Sequence, residues 1–223
     1  PKPTPTPTPT PTPKPPEKQL WTFGTTSASS GYYAVYVTFA KLINKYVPEV
    51  KCTPIETGAT VDNNRRMEKG ELQIGFGSAS ADYQGYKGIG AFKGTPLKKP
   101  RLCWIDSYAT FNYVVRADSG IKTIHDLEGK KLSIGIPGST TEELGAWSME
   151  LLGISPKIER GATKDAIVAM KDGRIDAWQK GCANPDSAIM TLMATTPIRI
   201  LSFSDEDLAK LNADRPYMAK SVV

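Results

Sequence analysis

Leu20-Trp21-Thr22-Phe23-Gly24-Thr25-Thr26-Ser27-Ala28-Ser29-Ser30-Gly31-Tyr32-Tyr33 decides how the chain reads. Four residues of strand character stop at a glycine, and small hydroxyl-bearing residues follow. Tyr32, Tyr36, Phe39, Ile43 and Tyr46 then recur near helical spacing until Pro48. Strand, loop and helix in this order form the half-unit of a parallel sheet. The order returns twice with a similar loop. Val50–Glu56 runs through Thr57-Gly58-Ala59-Thr60 into a helix over Val61–Lys69 stopped by Gly70, and Lys131–Ile136 runs through Pro137-Gly138-Ser139-Thr140-Thr141 into a helix reaching Leu152.

Working outward, Leu72–Phe76 reads as a strand and Ser78–Tyr86 as a helix. Arg101–Ile105 and Asn112–Arg116 read as strands, with a crossing between lobes where they join. Thr123 caps a short turn before Leu127. Ile158–Arg160, Ile175–Trp178 and Ile198–Phe203 read as strands, and Thr163–Lys171 and Pro185–Ala194 as helices. The expected fold is α/β and two-lobed, each lobe a mostly parallel sheet flanked by helices. The expected divisions are a linker over 1–19, a first lobe over 20–108, a second over 109–197, and over 198–223 a return crossing toward the first lobe that stops short.

With 223 residues the chain can bury a core without disulfide staples. No apolar run approaches the roughly 20 residues of a membrane-spanning helix. Nine of the 18 prolines fall in the Pro-Thr repeat over Pro1–Pro16, which should be an extended spacer holding the domain off a surface. Lys2, Lys14, Lys18 and Glu17 place two of the five net positive charges in that tail. The remainder is scattered, as in Lys98-Lys99-Pro100-Arg101, which argues against nucleic acid as a partner. Cys52, Cys103 and Cys182 have no paired spacing and are expected to be buried small hydrophobes. With His125 the single histidine, neither a metal site nor a cofactor is expected.

Each of the three loops ends at a helix start, where exposed amides and the dipole behind them attract an anion and hydroxyls add hydrogen bonds. For any single loop plain capping is the better explanation, and Ser139-Thr140-Thr141-Glu142 fits a capping box. Three such loops shared between two halves favour a site between them, with a small carboxylate as guest. No P-loop lysine follows Gly31, and the glycines at Gly75 and Gly77 lack the third of a dinucleotide fingerprint. No Gly-x-Ser-x-Gly elbow exists, and His125 beside Asp126 reads as a surface residue. An enzyme using Cys182 or Asp176 is the rival from a different class. Of the aromatics flanking loops, Tyr32, Tyr33, Tyr83, Tyr86, Tyr113 and Trp178, the first two follow an anion-type loop most directly.

Gly24-Thr25-Thr26-Ser27 through Gly31-Tyr32-Tyr33, Thr57-Gly58-Ala59-Thr60-Val61-Asp62-Asn63 and Gly70-Glu71-Leu72-Gln73-Ile74-Gly75 resemble the TAXI family of solute-binding receptors of TRAP transporters. Val114 to Ile121, Asp126 to Lys131, Pro137-Gly138-Ser139, Asp172 to Ala177 and Thr196 to Leu201 continue the resemblance, which covers nearly everything after Leu20. It implies a type II periplasmic-binding-protein-like fold and a receptor that is not an enzyme. Such a receptor closes on glutamate, glutamine or a similar dicarboxylate and delivers it to a membrane permease driven by an ion gradient. A sensor of the same fold coupled to a signalling partner is the nearest rival. By position the resemblance implies ligand contacts at Ser27, Tyr32, Tyr33, Thr57, Gly58, Ser78, Gly138, Ser139 and Thr140. It also implies an extracytoplasmic location, in the periplasm or on a lipid anchor upstream of Pro1. The sequence departs from the family at Ala28-Ser29-Ser30 and at Ala59, where glycine is more usual.

Overall fold

The computed structural model describes residues 17–215 and Met218, so the Pro-Thr segment lies outside the described residues. In the first lobe, β1 (Gln19–Gly24), β2 (Val50–Ile55) and β3 (Ile74–Gly75) form a parallel sheet of order β2-β1-β3. The connections are α1 (Gly31–Tyr46) and α2 (Thr60–Lys69), and α3 (Ala79–Lys87) follows β3. Phe23, Tyr36, Ala40, Val50, Cys52 and Ile74 make its core, with α1 contributing the Tyr32, Tyr36, Phe39 and Ile43 face. Asn44 of α1 covers the outer edge of β2, accepting from Cys52 N at 2.7 Å and donating to Cys52 O at 2.8 Å, so that edge offers one fewer free pair to another strand.

Asn63 fixes the loops after β1 and β3 to one another. Its fully buried amide donates to Gly24 O, Thr25 O and Phe76 O at 3.2, 2.9 and 2.9 Å. A Cβ on Gly24 would stand 2.5 Å from Asn63 Oδ1, so a glycine there is what lets the asparagine in. Gly70 ends α2 in the left-handed conformation expected of it.

The second lobe holds β4 (Thr110–Arg116), β5 (Lys131–Ser133), α4 (Thr140–Leu151), β6 (Lys157–Glu159), α5 (Thr163–Lys171), β7 (Ala177–Cys182), α6 (Ser187–Met193), β8 (Ile198–Leu201) and α7 (Asp205–Asp214). Its sheet order is β6-β5-β7-β4-β8. β5 is parallel to β6 and β7, whereas β4, arriving from the first lobe, runs antiparallel to both β7 and β8. Tyr113 and Val115 enter one core with Leu132 and Ile134, and Val114 enters the other with Trp178 and Met170. Burial on both faces is why β4 reads as a continuous apolar run.

Three expectations change. Arg101–Ile105 is not a strand: no described strand lies beside it to supply a ladder, and Leu102 and Ile105 stay 73% and 74% exposed. Within the same segment Cys103 is exposed, unlike the buried Cys52 and Cys182, and all three thiols are free. The segment from Ile198 does not cross back over its described length. β8 pairs with β4, Val114 opposite Ile200, and α7 is tied to α4 by Trp147 Nε1 donating to Asp214 Oδ2 at 2.8 Å and by the 2.6 Å Arg215–Glu143 ion pair.

Candidate functional site

The two lobes meet along a seam of helix starts. At one end α2 faces α4. Thr60 Oγ1 lies 2.6 Å from Thr140 Oγ1 and accepts from Thr140 N at 3.0 Å, and Ser78 Oγ also lies 2.6 Å from Thr140 Oγ1. Val61 N donates to Gly138 O at 3.0 Å across the seam. A Cβ on Gly138, whose φ is +81°, would stand 3.4 Å from Gly58 O, so glycine serves both the left-handed turn and the close approach. Thr60 and Thr140 are 1% and 9% exposed, so these hydroxyls have left water for one another.

The loop amides at this end are already used. Gly58 N donates to Asp62 Oδ2 at 3.1 Å, and Gly138 N to Glu142 Oε2 at 2.8 Å. Gly58-Ala59-Thr60-Val61-Asp62 and Gly138-Ser139-Thr140-Thr141-Glu142 are thus one device built twice, with Thr facing Thr and each acid three residues into its helix. Ser139 caps α4 through Glu142 N, but Glu142 reaches back one residue further than the expected capping box, to Gly138. Burial pushes the Asp82 carboxyl up, more than its bonds to Asn64 and the Ser78 backbone push it down. Ala59, where φ is +69° and ψ −149°, occupies a region almost reserved for glycine.

Among the expected contact residues, Gly58, Ser78, Gly138 and Thr140 come together here. Ser139 is occupied as a cap. Thr57 Oγ1 donates to Thr25 O at 2.9 Å and accepts from Ala59 N, which makes it a brace between two loops. Ser27 Oγ lies 2.9 Å from Ser29 Oγ, and Ser29 in turn accepts from Lys164 N of α5 in the other lobe at 3.3 Å. Thr60 was not among the expected contacts. The repeated Gly-x-Thr-x-acid pattern is the signal that could have found it.

At the other end α1 faces α6. Tyr32 lies against Phe76, ring centroids 5.0 Å apart. Burial raises its phenol above the ordinary value, against hydrogen bonding with Ser107 and the Ala183 backbone, so its hydroxyl lies where the segment leading into β4 meets the loop after β7. Tyr33 is half-buried on the same turn. Gly31 approaches α6 closely: a Cβ there would stand 3.3 Å from Asp186 Oδ2. Among the remaining aromatics, Tyr113 and Trp178 are core residues and Tyr83 and Tyr86 are exposed.

The rival catalytic residues are occupied otherwise. Burial, reinforced by Asp186, pushes the Cys182 thiol up to about 11, far from a thiolate nucleophile. Asp176 accepts from Lys131 N at 2.8 Å, and His125 Nε2 lies 2.9 Å from Asp207 Oδ1 at the start of α7. Arg66 and Arg116 pair with Glu71 and Asp118, and Arg65 donates to Ala91 O.

The NMT1-like family model matches residues 23–223. The chain belongs to the NMT1-like family. Solved structures share the fold of this NMT1-like chain at low identity. The alkanesulfonate-binding protein SsuA from Xanthomonas axonopodis pv. citri, bound to MOPS, is similar at a TM-score of 0.55 and 18% identity, over 83% of this chain and 61% of that one. A binding protein component of an ABC phosphonate transporter from Pseudomonas aeruginosa matches at 0.56 and 13%, over 88% and 74%. An ancestral arginine-binding protein bound to arginine matches at 0.53 and 17%, over 87% and 89%. The fold is therefore that of the two-lobed periplasmic binding proteins. The NMT1-like chain spans about three fifths of the length of the alkanesulfonate-binding protein.

Proposed function

We propose that this NMT1-like chain is an extracytoplasmic solute receptor that captures a small carboxylate between its lobes and hands it to a membrane permease. The observation that carries the reading is the seam itself. Helix starts from both lobes converge there, and hydroxyls of Thr60, Ser78 and Thr140 bond one another across it at 2.6 Å. Contacts of this kind break and re-form as the lobes part and close, so a solute that binds both lobes shifts an open–closed equilibrium. Structural neighbours named for alkanesulfonate binding, phosphonate transport and arginine binding support a small polar solute. The resemblance to TAXI receptors supports a solute of the glutamate, glutamine or dicarboxylate kind, and a TRAP-type permease driven by an ion gradient. On this reading the protein returns its solute unchanged, and the Pro-Thr stretch spaces it from a membrane surface.

Thermal unfolding against amino acids, dicarboxylates and keto acids tests the reading. A ligand that binds only the folded state adds about 2.7 kcal/mol at a hundred times its Kd, a shift of several degrees for a domain of this size. A shift with one acid is the expected result. A cooperative melt that no member of the panel moves would reject the carboxylate.

A further inference from the structure

The two ends of the seam differ in how fully their charged groups are hydrogen-bonded: Glu142 is held by Arg160 as well as by Gly138 N, whereas Lys180 at the other end has only long contacts. Lys180 lies on β7 opposite Asn112 of β4 and is only 5% exposed. Lysine is rarely buried without a partner, and its ammonium carries three donors. Here Nζ makes one long bond, 3.4 Å to Gly181 O, and stands 3.9 Å from Asp186 Oδ2, beyond hydrogen-bond reach. Asp186 divides its oxygens: Oδ1 caps α6, accepting from Ala188 N and Ile189 N at 3.0 Å each, and Oδ2 faces the ammonium. The ammonium is thus buried with most of its donor capacity unused among the described residues.

Across Asp186 Oδ2 from Lys180 stands Gly31, the first residue of α1. α1 runs for 16 residues, its N-cap Ser30 makes no side-chain capping bond, and its first turn holds no acid. The positive end of a long helix and a buried ammonium therefore share one carboxylate, which is already drawn toward α6. At the α2–α4 end, by contrast, Asp62 and Glu142 have taken up the loop amides.

We propose that the solute's anionic group binds at the α1–α6 end of the seam, beside Tyr32, accepting from Lys180 Nζ and from the α1 amides ahead of Tyr33, whose own N donates to Ser30 O. This rests on the receptor reading above and adds to it a place and a residue. Lys180 belongs to the second lobe and α1 to the first, so an anion held by both closes the lobes. The hydroxyls at the opposite end then act as the latch.

The test compares the thermal shift given by L-glutamate, L-glutamine and succinate to the wild type and to Lys180→Met. The expected result is a cooperatively melting variant that binds the active carboxylate about tenfold or more weakly, the effect of losing a charge-assisted bond, with partial recovery in Lys180→Arg. A wild type that shifts beside an equal shift in Lys180→Met overturns the inference and leaves the receptor reading standing. A wild type that neither these three nor any other member of the amino-acid, dicarboxylate and keto-acid panel moves overturns both. If Lys180→Met does not fold, a crystal structure of the wild type with the active carboxylate decides. A solute oxygen within about 3.2 Å of Nζ supports the inference. A solute seated on the Thr60 and Thr140 hydroxyls, with Lys180 still facing only Gly181 and Asp186, overturns it.

Discussion

At the α2–α4 end of the seam each helix start carries its own carboxylate, and the threonines between them satisfy one another. At the α1–α6 end the longest helix of the first lobe begins without a side-chain cap, near a buried lysine whose two contacts, to Gly181 O and Asp186, are both long. Both ends are built from glycine, hydroxyls and helix starts, yet one is complete without a guest and the other has a single carboxylate, Asp186, between a buried ammonium and two helix starts. Helix-start chemistry in a sequence therefore marks where lobes meet. Where a ligand's charge sits depends on which amides the chain has already paired.

Substitutions that treat the ends differently can break this contrast. Thr60→Val with Thr140→Val strips the latch of two hydroxyls, leaves the backbone N of residue 140 facing a methyl group and leaves Ser78 Oγ with only its bond from Ala81 N. Denaturant titration should show a loss of about 2 kcal/mol, the cost of buried groups left unpaired. A loss within about 0.5 kcal/mol would mean the seam stands open in solution. Ser139→Ala removes the α4 cap and should cost about 1 kcal/mol, whereas Ser30→Ala at the uncapped start of α1 should cost much less. Equal costs would show that α1 is capped after all.

Ala59→Gly should stabilise the protein by a few tenths of a kcal/mol up to about 1, because relief of an unfavourable backbone outweighs the extra freedom glycine gives the unfolded chain. Destabilisation in a thermal melt would place Ala59 in an ordinary conformation. The smallest effect concerns pH. The Asp82 carboxyl is raised by burial, so the stability it contributes is present below its unfolded pKa and declines as pH climbs through the higher folded value. Asp82→Asn should therefore gain on the wild type from acid toward neutral pH. A gap that narrows over that range would contradict the burial of Asp82.

The parallel strand–loop–helix units were legible because their signals are local: period, a stopping glycine and a hydroxyl cap. Arg101–Ile105 misled because a strand is completed by a neighbour, and its β-rich residues say nothing of whether one lies alongside. The path from Ile198 was hidden for the same reason, since β8 takes its place from pairing with β4. Within the site, Ser78, Gly138 and Thr140 could be found as members of helix-start loops. Thr57 and Ser139 belong to equally good motifs but serve as a brace and a cap, a choice fixed by side-chain partners that spacing does not reveal. Lys180 gave no signal at all. A lysine in Trp-Gln-Lys-Gly-Cys reads as solvated until β7 is seen to be buried.

Equilibrium dialysis of the wild type against isotope-labelled glutamate, glutamine and dicarboxylates, followed by recovery of the bound fraction, tests most directly whether the seam is a receptor site. Saturable retention of one of these solutes, recovered chemically unchanged, is the predicted result. Retention of none of them, or release of an altered product, would contradict it.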